Sequence, residues 1–215
     1  MTTATHGTLH VHHHFETAEQ QYQSSKLGLW LFLVTEILLF GGLFVVYIIF
    51  RGLYPEMFSQ AHHFLDRVLG SVNTMVLICS SFTMAMAVRA VQRSESARAS
   101  QLLLITFFCG LLFMGIKYLE YTHKFHEGLL PGIHFHNAEL THPKAALFFS
   151  LYFMMTGLHG IHVLVGMGLI AWMIVGCNRG RFDAHYSTPV ELTGLYWHLV
   201  DLIWIYLFPL FYLIS

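Results

Sequence analysis

The stretch that decides the fold runs from Leu27 to Phe50 and reads LGLWLFLVTEILLFGGLFVVYIIF. Glu36 is its one charged residue, and nearly all the others are apolar. About 20 consecutive apolar residues are enough for a helix to cross the hydrocarbon core of a bilayer. The stretch therefore predicts a membrane-spanning helix.

Four more apolar blocks of spanning length follow, at residues 68–91, 102–121, 145–177 and 190–214. Only 11% of the residues are charged, whereas soluble domains usually carry about 25%. The blocks are too long and too evenly apolar for barrel strands, which are about 10 residues long and alternate in polarity. We expect an all-α polytopic membrane protein, a single domain of five transmembrane helices over residues 26–215, preceded by a flexible His-rich cytoplasmic tail over residues 1–25.

The charges outside the spans predict the orientation. The side that carries the N-terminus has six basic residues, most of them in short loops: Lys26, Arg89, Arg93, Arg98, Arg179 and Arg181. The positive-inside rule acts best in such loops, so we expect a cytoplasmic N-terminus and an external C-terminus. The net charge of −1 gives no reason to expect a nucleic-acid partner.

Two further groups of residues bear on metals. The tail contains five histidines, a composition that can bind metal, but no ordered ligands accompany them, and we expect a solvated segment: His6, His10, His12, His13 and His14. Cys79, Cys109 and Cys177 are scattered singly, so we expect small core residues, with no disulfide and no haem attachment.

Glu36 lies about 15 Å along the first span, at 1.5 Å per residue, and so near the middle of the membrane. An ionisable residue at that depth is costly and is a functional-site hypothesis by default. The cost would fall if the carboxyl were protonated or met a donor on a neighbouring helix. Glu36 is then either an interhelical hydrogen-bond latch or a group with a proton-linked or lipid-linked role.

The fourth span contains His159 and His162, which share one face of a helix because they are three residues apart. They would be presented to a neighbouring helix, and Glu36 is one group that they could meet. A metal site is a weaker interpretation, because the HExxH motif spaces its histidines i, i+4 with a Glu between them. Thr156 and Gly160 form a small-xxx-small pair that would permit close helix approach.

Two other ionisable pairs lie within spans. His198 and Asp201 are one turn apart, and an intrahelical bond beside interfacial Trp197 and Trp204 would satisfy them. Lys117 and Glu120 are similarly spaced near a span end, where Lys can extend its ammonium toward water. We expect both pairs to be structural.

Five motifs, taken in this order along the chain, resemble subunit III of cytochrome c oxidase, in the haem-copper oxidase superfamily. They are GLWLFLVTEILLFGGLF, GSVNTMVLICSS, GIKYLEY, YFMMTGLHGIHVLVG and LYWHLVDLIWIYLFPLFYL. TGLHGIHV and YWHLVDLIW are long and specific. The resemblance covers residues 26 to 214, and it is to the short bacterial form with five helices; long members have seven.

The resemblance implies a non-redox accessory subunit that packs on catalytic subunit I. Haem and copper would lie in partner subunits I and II, and a small subunit IV is a further partner. Glu36 falls on the family's carbodiimide-reactive membrane carboxylate. Such a subunit binds phospholipid, supports proton uptake and lengthens turnover life. The resemblance also implies a location in the bacterial inner membrane.

Three alternatives stay open. Related chains accompany quinol oxidases and some nitric-oxide reductases, although the TE of VTEILLF favours the cytochrome c branch. A membrane di-haem cytochrome would use His159 or His162 with His198. A proton-coupled transporter would be built around Glu36.

Overall fold

The computed structural model describes residues 17–131, 135, 144–184 and 186–213 of the chain. They form six α-helices: α1 (Ala18–Leu53), α2 (Pro55–Ala61), α3 (Arg67–Gln92), α4 (Ser96–His126), α5 (Ala145–Asn178) and α6 (Thr188–Tyr212). Within these ranges, the β-structure is an isolated bridge between Leu129 and Phe135. All but α2 are long and apolar enough to cross a membrane. The expectation of an all-helical chain with five such helices is confirmed.

Several helix ends differ from the predicted spans. α1 begins at Ala18, inside the segment assigned to the tail, because Thr17 Oγ1 caps it by accepting a 3.1 Å hydrogen bond from the Gln20 N–H. α4 continues to His126, past the predicted end at Tyr121. The predicted tail histidines and Ile214 lie outside the described residues.

The connection between α1 and α3 is itself folded. Pro55 starts α2 from its first turn, where a missing N–H costs nothing, and a 3-10 turn over His62–Phe64 follows. His62 is buried, and its Nε2 lies 2.9 Å from an Arg67 guanidinium nitrogen. A guanidinium can only donate, so Nε2 accepts and this imidazole is neutral. Burial, with His63 and Arg67 adding to it, lowers the pKa of His62.

The core of the bundle is built by α3 to α6, and α6 is central. In the most apolar 18-residue stretch of α6, half of the residues are buried, against 17% in the corresponding stretch of α1. α1 therefore lies at the edge of the bundle. Trp197 and Trp204 of α6 are fully buried and donate 3.1 Å hydrogen bonds to Ser80 and Thr74 of α3. Their predicted interfacial position is wrong, because both indole N–H groups find partners inside the bundle.

α6 approaches α5 closely at Gly166. A Cβ there would meet Trp197 Cε3 at 2.7 Å, whereas at Gly160 it would meet only Met114, at an ordinary 3.9 Å. The close approach predicted at Gly160 is therefore wrong: α6 comes close to α5 at Gly166 instead, because the Trp197 ring lies there.

The three cysteines are free. Cys177 is buried, as expected for a core residue, whereas Cys79 is exposed on the outside of the bundle. The prediction of three core positions is wrong for Cys79, whose small apolar side chain is equally suited to a lipid-facing surface.

Candidate functional site

Glu36 of α1 and His162 of α5 meet between their helices. Glu36 Oε2 lies 2.8 Å from His162 Nε2, and each side chain keeps 13% of its surface exposed. Phe40 packs edge-on against the imidazole, with ring centroids 5.4 Å apart, and the Tyr196 hydroxyl donates to the His162 carbonyl. The sequence placed Glu36 opposite one of two histidines, and the structure brings it to His162.

The second ring nitrogen of His162 limits the proton arrangements of this pair. Nδ1 lies 2.8 Å from the Leu158 carbonyl oxygen, and a carbonyl can only accept, so Nδ1 carries a hydrogen. If the imidazole is neutral, Nε2 accepts and Glu36 must be a protonated donor. If it is an imidazolium, Glu36 is a carboxylate. Both arrangements hold the same number of protons, so one can become the other by moving a proton across 2.8 Å.

His159 does not join this pair. Its ring lies between Phe113 and Trp204, at centroid distances of 5.5 and 5.3 Å, and both ring nitrogens are buried with no hydrogen-bond partner in the structure. His159 lies three residues before His162 on α5, and its side chain points into the bundle core. The sequence spacing predicted a shared face, but it could not separate an interhelical seam from the core.

A second polar group, the lysine cluster, joins α4, α5 and α6; it consists of Lys117, Glu120, Lys124, Tyr152 and Tyr212. Lys117 Nζ donates to Glu120 Oε2 at 2.9 Å, and Lys124 Nζ donates to Glu120 Oε1 at 3.1 Å. The Tyr152 and Tyr212 hydroxyls donate to Glu120 Oε1 at 2.9 and 2.7 Å.

The predicted Lys117–Glu120 pair is confirmed, but its expected extension toward water is wrong. Lys117 has a side chain only 6% exposed and also donates to the Tyr152 and Tyr212 hydroxyls, at 2.8 and 3.1 Å. These partners from α5 and α6 hold the ammonium inside the bundle. Two ammonium groups share one carboxylate, so the cluster contains one more positive charge than negative.

Sequence reasoning missed Lys124, Tyr152 and Tyr212. Lys124 lies three residues beyond the predicted span, whose apolar block ends at Tyr121. Its spacing, four residues after Glu120 and seven after Lys117, places all three on one helix face, and this signal was present in the sequence. The two tyrosines come from other helices, and no local pattern marks them.

His198 and Asp201 do not bond to each other. His198 Nδ1 lies 2.7 Å from the Ser81 hydroxyl of α3, while both Asp201 oxygens are buried with no hydrogen-bond partner in the structure. The Ser80 and Ser81 hydroxyls of α3 lie near this carboxyl. The predicted intrahelical bond is wrong, because His198 Nδ1 lies within hydrogen-bond distance of the Ser81 hydroxyl of α3 instead.

The contacts of the histidines do not favour a haem site. His162 faces α1, His198 faces α3, and His159 lies between two aromatic rings, so none of them faces another across an open space. Among the described residues, no three His, Cys, Asp or Glu side chains are grouped as metal ligands. What the geometry offers is proton exchange within Glu36–His162 and a buried, positively charged polar cluster.

Comparison with known proteins adds an independent observation. The family model described as cytochrome c oxidase subunit III matches residues 2–215. The cytochrome c oxidase subunit 3 of Thermostichus vulcanus is 33% identical over 88% of this chain and 87% of its own. That of Synechocystis is 34% identical, over 99% and 83%. The quinol oxidase subunit 3 of Bacillus subtilis is 29% identical, over 96% and 97%.

Proposed function

The chain belongs to the cytochrome c oxidase subunit III family, whose members are non-catalytic subunits of haem-copper oxidases, and on this premise we propose that it packs on catalytic subunit I of a proton-pumping terminal oxidase and stabilises it. Subunit II, and a small subunit IV, complete the complex. Haem and copper belong to subunits I and II, and phospholipid binds among the helices. The observation that carries the proposal is the family match, which includes all five long helices.

Cytochrome c is the electron donor that we propose for the complex. The Thermostichus vulcanus and Synechocystis proteins, at 33% and 34% identity, are both cytochrome c oxidase subunits. A quinol oxidase is the second candidate, favoured by the match to nearly the full length of the Bacillus subtilis protein. Oxygen consumption by the purified complex with reduced cytochrome c, and separately with a quinol, distinguishes the two donors.

The Glu36–His162 pair supports a role at the lipid-facing seam of the bundle. Both side chains are partly exposed where α1 meets α5, and the pair can hold a protonated carboxyl, the form that hydrophobic carbodiimides attack. We assign to Glu36 a role in holding α1 and adjacent lipid in place. We assign structural roles within the bundle to Lys117, Glu120, His198 and Asp201. His159 packs in the core of the bundle.

Purification through an affinity tag on this chain tests the assembly. The complex should contain haem-copper subunits I and II, and the chain expressed alone should show no haem absorbance. A Soret band from the chain alone would overturn the proposal in favour of a di-haem cytochrome. Substrate uptake by vesicles that contain only this chain would favour a transporter.

Turnover of the Glu36→Gln oxidase tests the assigned role. We expect a complex that assembles but turns over more slowly or inactivates sooner than wild type, and that no longer reacts with a carbodiimide at this position. The control is Thr35→Ala, whose hydroxyl bonds within its own helix, to the Phe32 carbonyl. Unchanged turnover and unchanged lifetime in Glu36→Gln would contradict the role.

The same proposal includes a bacterial inner membrane location with residues 26–215 as one domain, the N-terminus in the cytoplasm and the C-terminus outside. The basic residues of the α3–α4 and α5–α6 connections support this orientation. Alkaline phosphatase fused after Ser215 should be active, and a fusion in the α3–α4 connection should be inactive. The reverse pattern would overturn the orientation.

A further inference from the structure

A cavity of about 180 Å³ opens where α3 ends and α4 begins. We call it the arginine pocket; it is lined by Met86, Arg89, Ala90, Arg93, Glu95 and Arg98. The positive-inside rule accounts for basic residues in this connection. It does not account for three guanidinium groups arranged around one concavity.

The charges of the arginine pocket are unbalanced. Glu95 Oε2 accepts from Arg98 Nη1 at 3.2 Å, which leaves Arg89 and Arg93 with no ion pair or side-chain hydrogen bond to another described residue. Both are exposed. Three positive charges against one negative charge favour an anion, and guanidinium groups bind phosphate oxygens two at a time.

The backbone around the pocket is held in shape by the neighbouring connection. The turn between α3 and α4 is short and contains Ser94 in the left-handed region, at φ 60°. Ser94 Oγ accepts from the Ala184 N–H, and Ser96 Oγ donates to the Phe182 carbonyl. The α5–α6 connection thus fixes the backbone of the turn before any ligand arrives, which lowers the entropic cost of binding.

The remaining lining residues indicate where the anion comes from. Met86 and Ala90 lie one turn apart on α3 and give the pocket its apolar lining, and Met86 is the lining residue nearest the middle of that span. We propose that the arginine pocket binds the phosphate group of a membrane phospholipid, with the glycerol region against Met86. The proposal needs only a membrane location and not the oxidase assignment.

Native mass spectrometry tests the site on the detergent-purified protein with whatever subunits accompany it. The protein is stripped of lipid and titrated with phosphatidylglycerol. We expect the Arg89→Gln/Arg93→Gln variant to bind the first lipid about tenfold more weakly than wild type, since juxtamembrane arginines attract anionic lipid. The matched control is Arg179→Gln/Arg181→Gln, which removes two exposed arginines from the neighbouring connection and should bind like wild type.

Equal weakening in both variants would mean general electrostatic attraction and would overturn the site, as would no weakening in either. Arg89→Lys/Arg93→Lys keeps the charge but loses the guanidinium geometry. Its affinity for the first lipid should lie between those of wild type and the glutamine variant. Inorganic phosphate is titrated in parallel. If it occupies the pocket in an arginine-dependent way and phosphatidylglycerol does not, the lipid source is overturned. Oxidase activity is measured separately, so failure of the pocket and failure of the proposed function are distinguishable.

Discussion

Glu36 and His162 are held together across two helices by one short contact and share a fixed number of protons in either arrangement. Hydrogen bonds between membrane helices contribute modestly, since the unfolded chain also finds partners in the membrane. The pair is therefore a weak latch energetically, although it is well defined geometrically.

A double-mutant cycle measures that latch. Glu36→Leu, His162→Leu and the double variant should give a coupling free energy of about 0.6 to 1.7 kcal/mol, from unfolding of the purified protein in detergent. The same cycle with Glu36 and His159 is the control, and it should give a coupling within about 0.5 kcal/mol of zero, since these two side chains do not touch. Equal coupling in both cycles would contradict a specific Glu36–His162 bond.

The surplus charge of the lysine cluster gives a second prediction at this scale. Glu120→Gln leaves two buried ammonium groups without a carboxylate and should destabilise the protein by about 3 to 5 kcal/mol. Lys124→Met leaves Lys117 and Glu120 as a balanced pair, so it should change the free energy of unfolding by less than about 1 kcal/mol. Unfolding in detergent compares the two, and equal damage would show that charge balance does not govern the cluster.

At the scale of helices, Gly166 sets how closely α5 and α6 pack. Gly166→Ala would press a methyl group into the Trp197 ring, at a cost of about 1 to 3 kcal/mol. Gly168 lies on the same helix with nothing within 4 Å of an added Cβ, so Gly168→Ala should be neutral or stabilising by up to about 1 kcal/mol. Thermal unfolding of both variants tests this difference, and equal effects would contradict a contact between the ring and the glycine.

The connection between α1 and α3 should make stability depend on pH through His62. Its neutral form accepts from Arg67, and its pKa is lowered in the folded protein. Its contribution is therefore complete above the unfolded pKa of about 6.5 and is lost as the pH falls through the folded value. His62→Gln should reduce the loss of thermal stability between pH 7 and pH 5, and His63→Gln, which removes only a secondary cause of the lowered His62 pKa, should reduce it less. Parallel pH profiles for all three proteins would contradict this.

The helices could be predicted from the sequence, but several of their ends and contacts could not. Apolar blocks of spanning length leave a bilayer protein few other structures, because backbone polar groups must be satisfied within each segment. Hydropathy falls at Tyr121, yet α4 continues because Lys124 is held by Glu120 inside the protein. The sequence allowed Glu36 to meet either His159 or His162, which were predicted to share a helix face. Which of the two it contacts is determined by tertiary packing.

For the whole molecule, Trp197 of α6 joins the other three core helices. Its indole donates to Ser80 of α3, and its ring lies against Gly110 of α4 and Gly166 of α5, where an added Cβ would come within 3.2 and 2.7 Å. Trp197→Ala should cost about 3 to 5 kcal/mol. Trp172→Ala, at a position 53% exposed, should cost less than about 1 kcal/mol. Similar unfolding free energies for the two variants would contradict a central role for Trp197.

The position of Trp197 also bears on the order of events during synthesis. Chains fold as they emerge from the ribosome, N-terminal parts first, and α6 is made after α3, α4 and α5. Until it enters the membrane, α3, α4 and α5 surround a space shaped for a ring that has not yet been translated. Nascent chains that stall before α6 should then remain open and be accessible to membrane proteases, which would make the arrival of α6 a checkpoint in folding.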